Sequence, residues 1–139
     1  MNDYHILFIF ILIWVIFGFI YIVPKMLYSK PEIFNKDIER IRNEGVLLFK
    51  KNSGGRIGVV NFSKYLLTIS VYDKGIILTP TILFKECCLL KTEIISLVDK
   101  KIFFTNSTEI QHNSKNLDKM ILVYCKIPYI IRNQLLNSN

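Results

Sequence analysis

The sequence predicts an α+β protein: an N-terminal transmembrane helix, then a strongly bent antiparallel sheet, or partial barrel, capped by a C-terminal helix. Three observations carry that prediction. Residues 6–23, ILFIFILIWVIFGFIYIV, contain no charged side chain. Leu67, Ile69 and Val71 alternate with Thr68, Ser70 and Tyr72 in the two-residue period of a half-buried strand, and the chain then turns at Asp73-Lys74-Gly75 and returns through Ile76-Ile77-Leu78-Thr79. The chain closes on Ile127, Ile131 and Leu135, with Ile130 beside them, a helical stripe that must pack on something.

At 1.5 Å per residue, a helix over residues 6–23 extends about 27 Å, close to the roughly 30 Å hydrocarbon core of a bilayer. A helix satisfies all the backbone hydrogen bonds of a single segment in lipid. Ile6 and Val23 bound the span, and Tyr4, Tyr21 and Tyr28 suit the membrane–water interface. Trp14 stands mid-span as lipid-facing or packing bulk. Gly18 has Trp14 four residues before it and Ile22 four after, so no small-xxx-small dimer motif forms. A cleaved signal peptide needs a basic leader and a small-residue cleavage site. The first five residues, MNDYH, hold no Lys or Arg, and Pro24-Lys25-Met26-Leu27-Tyr28 resembles no such site. The expectation is an uncleaved signal anchor over residues 1–24.

All 18 Lys and Arg residues follow Val23. The positive-inside rule then puts the N-terminus outside and the C-terminal domain in the cytoplasm, a single-pass arrangement. Three cysteines, an odd number, fit a reducing compartment better than a disulfide framework. The sequons at Asn61-Phe62-Ser63 and Asn106-Ser107-Thr108 would matter only in the reverse orientation. Beyond the anchor, 18 basic residues stand against 10 acidic ones, Asp3 lying upstream, for a net charge of +8. Lys25, Lys30, Lys36 and Arg40 lie near the membrane and are candidate contacts to anionic lipid. The charges are otherwise scattered, with no run beyond Lys50-Lys51 or Lys100-Lys101. Most aromatics fall in the anchor or in apolar runs, which argues against a nucleic-acid surface.

Residues 25–45 read as a juxtamembrane linker and amphipathic helix. Pro31 suits a first turn, Phe34, Ile38 and Ile41 form one apolar stripe, and Gly45 offers a left-handed stop. The stripe can dock on lipid or on the following domain. Residues 46–139 form the β-rich domain. Val46-Leu47-Leu48-Phe49 and Ile57-Gly58-Val59-Val60 flank the turn-rich Asn52-Ser53-Gly54-Gly55, which predicts a hairpin. Gly55-x-x-Gly58 lacks the Gly-Lys-Ser/Thr and following helix of a phosphate loop, so turn chemistry explains it. The next hairpin turns at Asp73-Lys74-Gly75, with Gly75 free to take positive φ, and ends at Pro80. Its tip, Tyr72, Asp73, Lys74 and Gly75, is the candidate partner-binding hairpin. Residues 81–98 suit either a helix face or two strands, at Ile82-Leu83-Phe84 and Ile94-Ile95-Ser96-Leu97-Val98, joined through Lys91-Thr92-Glu93. The strands are favoured. A further hairpin is expected from Ile102-Phe103-Phe104-Thr105 through an Asn106-Ser107 turn into residues 108–112. Residues 120–125 make a strand covered on both faces, and Pro128 opens the last helix.

In order, LLTISVYDKGIIL (residues 66–78), KTEIISLVDK (residues 91–100, entered through Glu93-Ile94) and KMILVYCKIPYIIRNQLL (residues 119–136) resemble the pleckstrin-homology-like (PH-like) superfold. The likeness is to its short bacterial PH-like and GRAM-like forms, often fused to membrane spans, and covers residues 46–136. It implies a bent sheet plugged by its last helix. Phosphoinositide-binding members carry several Lys and Arg around the first hairpin, and no such cluster matches here; other members bind peptides or act as scaffolds.

Chemistry is sparse. Cys87, Cys88, Cys125 and His112 are the metal-ligand types, yet no C-x-x-C or H-x-x-x-H spacing exists, and adjacent cysteines on a strand face opposite ways. His112 with Cys88 or Cys125 lacks any feature that would lower a thiol pKa. His5 has no partner. Glu93 and Asp99 are the carboxylates spaced for a joint role, and turn or surface duty explains both. No catalytic residue, metal or cofactor is expected, and nothing in the residues specifies an oligomeric state. The expected function is a membrane-anchored, non-enzymatic binding or scaffold module engaging a protein partner or anionic lipid. The alternative is a small structural or immunity-type membrane protein, or accessory subunit, acting without a ligand pocket.

Overall fold

The computed structural model describes residues 2–22, 34–58, 60–81, 85–117 and 119–137. Val23, Lys25, Lys30 and the expected strand at residues 82–84 lie outside them. Helix α1, Asp3–Phe17, continues into a π-helical turn, Gly18–Ile22. Within it Asp3–Tyr21 is long and apolar enough to cross a membrane, and none of it is buried against protein. Phe17 and Tyr21 stack at 4.8 Å where the helix widens. A helix apolar all round, with no protein cover, is what composition alone predicted there.

Helix α2 is Phe34–Glu44. Its stripe of Phe34, Ile38 and Ile41 is buried in the domain core, so the helix docks on the sheet. Each such side chain contributes about 1.5–3 kcal/mol on burial. Arg42 holds the helix down through an ion pair with Glu86, whose carboxylate also accepts from Thr79 Oγ1 at 3.0 Å.

Seven antiparallel strands follow: β1 Leu47–Ile57, β2 Val60–Tyr72, β3 Gly75–Pro80, β4 Cys87–Leu90, β5 Ile94–Ile102, β6 Thr105–His112 and β7 Ile121–Val123. Their spatial order is β4-β3-β2-β1-β7-β6-β5. The two edges, β4 and β5, are consecutive in sequence and joined by one 3-10 turn, Lys91–Glu93. Six strand spacings would hold the edges of a flat sheet about 29 Å apart. The four Cα steps from Leu90 to Ile94 reach at most about 14 Å. The sheet therefore curls into a half-barrel. Glu93 caps the joining turn by accepting from the Leu90 N–H at 2.9 Å. Helix α3, Tyr129–Asn137, closes the domain against β5, with Ile127 and Leu135 buried. The fold is α+β: an apolar N-terminal helix, a curled seven-stranded antiparallel sheet and a C-terminal helix.

Several local expectations change. Asn52-Ser53-Gly54-Gly55 is not a turn. Strand β1 runs through it, and the chain reverses at Gly58, whose φ is 59°. The two glycines serve close approach. A Cβ on Gly55 would meet Leu122 O at 2.5 Å and Leu67 Cδ2 at 2.7 Å, at the point where β1 pairs with β2 and β7 together. Gly45 and Gly75 do not take positive φ. They are glycines because a Cβ would strike the Ile41 and Leu89 carbonyl oxygens. The helical reading of residues 81–98 is excluded wherever they are described. Ile130 is exposed and stands apart from the buried stripe.

The largest change is the β5–β6 turn, which is Phe103-Phe104 and not Asn106-Ser107, since Ile102 pairs with Thr105. Tertiary bonding overrides turn propensity here. Thr108 is fully buried, donates to Cys125 O at 2.9 Å and accepts from the Ile127 N–H at 3.4 Å. That network places Asn106-Ser107-Thr108 inside the sheet, and the reversal falls three residues earlier.

Candidate functional site

Strands β1 and β2 pair in unbroken register from Phe49 opposite Val71 to Ser53 opposite Leu67, then resume at Gly55 opposite Phe62. In between, Gly54 alone faces four residues of β2, which bulge outward. A Cβ on Gly54 would meet the Phe62 and Ser63 carbonyl oxygens at 2.6 and 2.8 Å, so a larger residue would displace the bulge. Tyr65, at its crest, has φ 71°, a left-handed conformation that costs an L-residue about 1–2 kcal/mol. Lys64 lies beside it, its Nζ 5.0 Å from the ring centroid.

The bulge forms one wall of a cleft of about 460 Å³, on the scale of small-molecule sites. Lys51, Asn52 and Ser53 of β1 form another wall, and Thr105 and Tyr124 close the far side. Tyr124 Oη donates to Asn61 Oδ1 at 2.5 Å, which ties the segment after β7 to β2. Among the described residues, two lysines and no carboxylate line the cleft. Such a surface suits an anion held by ammonium and hydroxyl donors. Ser53 is buried at its base, and beneath it lies the Cys125 thiol, which burial raises although the Ser53 hydrogen bond and the Lys51 charge pull it down.

Thr105 also closes the Phe103-Phe104 turn, so cleft and turn are contiguous. Phe103 is 91% and Phe104 97% exposed, and Phe103 takes φ 53°. The two rings forgo roughly 1.5–3 kcal/mol of burial each. A two-residue turn is ordinarily met by Asn-Gly. On the other flank of this hairpin stand Lys101 and Lys126. The nearby carboxylates are engaged: Glu109 with Lys100 at 2.7 Å, and Asp99 with Arg132. The Arg132 hydrogen bond holds the Asp99 carboxyl below the usual carboxylate range.

The residues singled out from the sequence fall elsewhere. Asp73 Oδ1 accepts from the Val46 N–H at 2.7 Å, the Asp73 N–H donates to Val46 O, Lys74 O accepts from the Lys91 N–H, and Gly75 is buried. Of that tip, the Lys74 side chain is the most exposed. The tip lies by the β4–β5 junction, while the aromatic turn is at the far end of β5, nine residues or about 30 Å away. Lys36 and Arg40 are exposed on α2, Arg40 within 3.7 Å of Asp37. Ile6, Trp14 and Gly18 lie along α1 and its π turn. Cys87, Cys88 and Cys125 are buried and free. Burial drives the Cys87 thiol far above its ordinary value and Cys88 up to about 12, so both stay protonated. His112 is buried, with Nδ1 accepting from the Ser114 N–H at 3.2 Å. Among the described residues no three of His, Cys, Asp or Glu are arranged to hold a metal ion.

Sequence reasoning missed Lys51, Lys64, Tyr65, Thr105 and Tyr124. They come from four separate segments and meet through strand register, which no local pattern carries. Phe103 and Phe104 are legible in the sequence as aromatics next to Lys100-Lys101, but their apolar run reads as strand and not as turn. No known protein family, curated protein or solved structure matches this chain.

Proposed function

We propose that this chain is a membrane-anchored, non-enzymatic binding module of PH-like architecture whose cleft takes the anionic headgroup of a lipid. The supporting observation is a cleft lined, among the described residues, by two lysines and no carboxylate, in a chain that also carries a helix long and apolar enough to cross a bilayer. The order of curled sheet and closing helix agrees with the PH-like reading of residues 46–136. The skew of Lys and Arg to one side of α1 favours a cytoplasmic domain and an external N-terminus. Protonated, buried thiols and a histidine bonded to its own loop offer no activated nucleophile, in keeping with binding in place of catalysis. A protein partner in the same cleft is the competing occupant.

The test is hydrogen exchange of the full chain in nanodiscs of neutral or anionic lipid. Residues 60–66 are expected to gain protection with anionic lipid only, and to lose it in Lys51→Ala/Lys64→Ala. Two lysines at about 1 kcal/mol each correspond to roughly 30-fold weaker engagement. Equal exchange in both lipids would remove the lipid reading. A reporter fused to the C-terminus and detected outside the cell would overturn the orientation.

A further inference from the structure

We infer that Phe103-Phe104 is a wedge that inserts into the headgroup–acyl boundary of an anionic leaflet, beside the cleft. This rests on the reading of the chain as membrane-anchored.

Three independent features support it. The two rings are almost wholly exposed at the end of a hairpin, and Phe103 adopts a backbone conformation disfavoured for its type, so the turn is not shaped by packing within the domain. Lysines line the hollows that adjoin the hairpin, Lys51 and Lys64 in the one that includes Thr105 and Lys101 and Lys126 in the one that includes Asn106, while Asp99 and Glu109 are already paired. Apolar residues at the tip with lysines behind them match a bilayer, where rings enter the acyl boundary and ammonium groups stay among phosphates. The third feature is reach. Eleven residues separate Ile22 from Phe34, so those two positions lie at most about 43 Å apart. A bilayer crossed by α1 is thus held within reach of the domain, at the high effective concentration of a short tether. A protein partner would have to be recruited, whereas the leaflet is already present.

The experiment uses the full chain reconstituted into vesicles, with Trp14→Phe removing the native fluorophore and Phe104→Trp placing one at the tip. Vesicles are phosphatidylcholine alone or mixed with phosphatidylglycerol, carrying bromine at defined acyl depths. With phosphatidylglycerol the emission is expected to shift to the blue and to be quenched most by shallow bromines. Lys101→Glu/Lys126→Glu is expected to reverse both effects. Water-like emission in both lipids would overturn the wedge; retained anionic-lipid protection of residues 60–66 would then leave the cleft reading standing, and its loss would remove both. A blue shift without bromine quenching would mean the ring is covered by protein, a second copy or a partner, and would also overturn the proposal. Because the position is exposed, the Trp variant keeps the fold, which Thr108-dependent exchange protection in β6 checks independently.

Discussion

Arg132 fastens the closing helix to the sheet, and its removal has a size that can be worked out. Its side chain is 11% exposed. Nε donates to Ile127 O at 2.7 Å, Nη1 reaches Leu97 O and Nη2 reaches Thr108 Oγ1, both at 3.4 Å, and Nη2 pairs with Asp99. The short bond from a charged donor contributes about 1.5–3 kcal/mol. The Asp99 pair adds little, because Asp99 is 52% exposed and solvent screens it. The two long contacts add little. Arg132→Ala is therefore expected to cost about 3 kcal/mol, a large part of the roughly 5–15 kcal/mol that holds a domain of this size. Urea unfolding of the full chain in detergent, followed by pulse proteolysis, would show the midpoint falling by about 3 M if the slope is near 1 kcal/mol per M. Arg132→Lys keeps the charge but not the planar fork, and is expected to lose about half as much. An Ala variant within about 0.5 kcal/mol of the native chain would refute the reasoning.

Four further outcomes follow from the same geometry. Asp99 is expected to titrate below the ordinary carboxylate range by NMR and to return to it in Arg132→Ala. Since its folded pKa is depressed, any stability it brings is present above the unfolded pKa and lost as pH falls through the folded one. Gly55→Ala forces a Cβ onto Leu122 O and Leu67 Cδ2, so it is expected to lose more than about 2 kcal/mol in the same unfolding assay, and a silent substitution would contradict the joint between β2 and β7. Asp73→Ala removes the acceptor for the Val46 N–H and is expected to cost about 1 kcal/mol, with faster amide exchange at the start of β1. Cys87, Cys88 and Cys125 are expected to resist N-ethylmaleimide in the native chain and to react on unfolding; rapid native labelling would show the thiols accessible.

What could be read from the sequence was local. The hairpin over residues 66–79 and the stripe of Phe34, Ile38 and Ile41 rest on neighbours in sequence and both appear as expected, although Ser70 is buried along with Leu67, Ile69 and Val71. The glycines misled because sequence shows their freedom and not their neighbours. Gly54 and Gly55 read as a turn, and they are where two strand pairings crowd one backbone. The Phe103-Phe104 turn was hidden for a similar reason: Thr108 is drawn into the sheet by Cys125 and Ile127, residues far along the chain. The cleft depends on the offset between β1 and β2 and on the arrival of Thr105 and Tyr124. These are consequences of register, which only the folded sheet defines.

The central claim is that the domain rests on its membrane by the end that carries the cleft and the aromatic turn. Spin labels at positions 104 and 92, at opposite ends of β5, test it directly in the full chain reconstituted with anionic lipid. Power saturation is expected to find the label at 104 more accessible to oxygen and the label at 92 more accessible to a water-soluble nickel reagent. Equal access of the nickel reagent to both labels, or the reverse order, would contradict it.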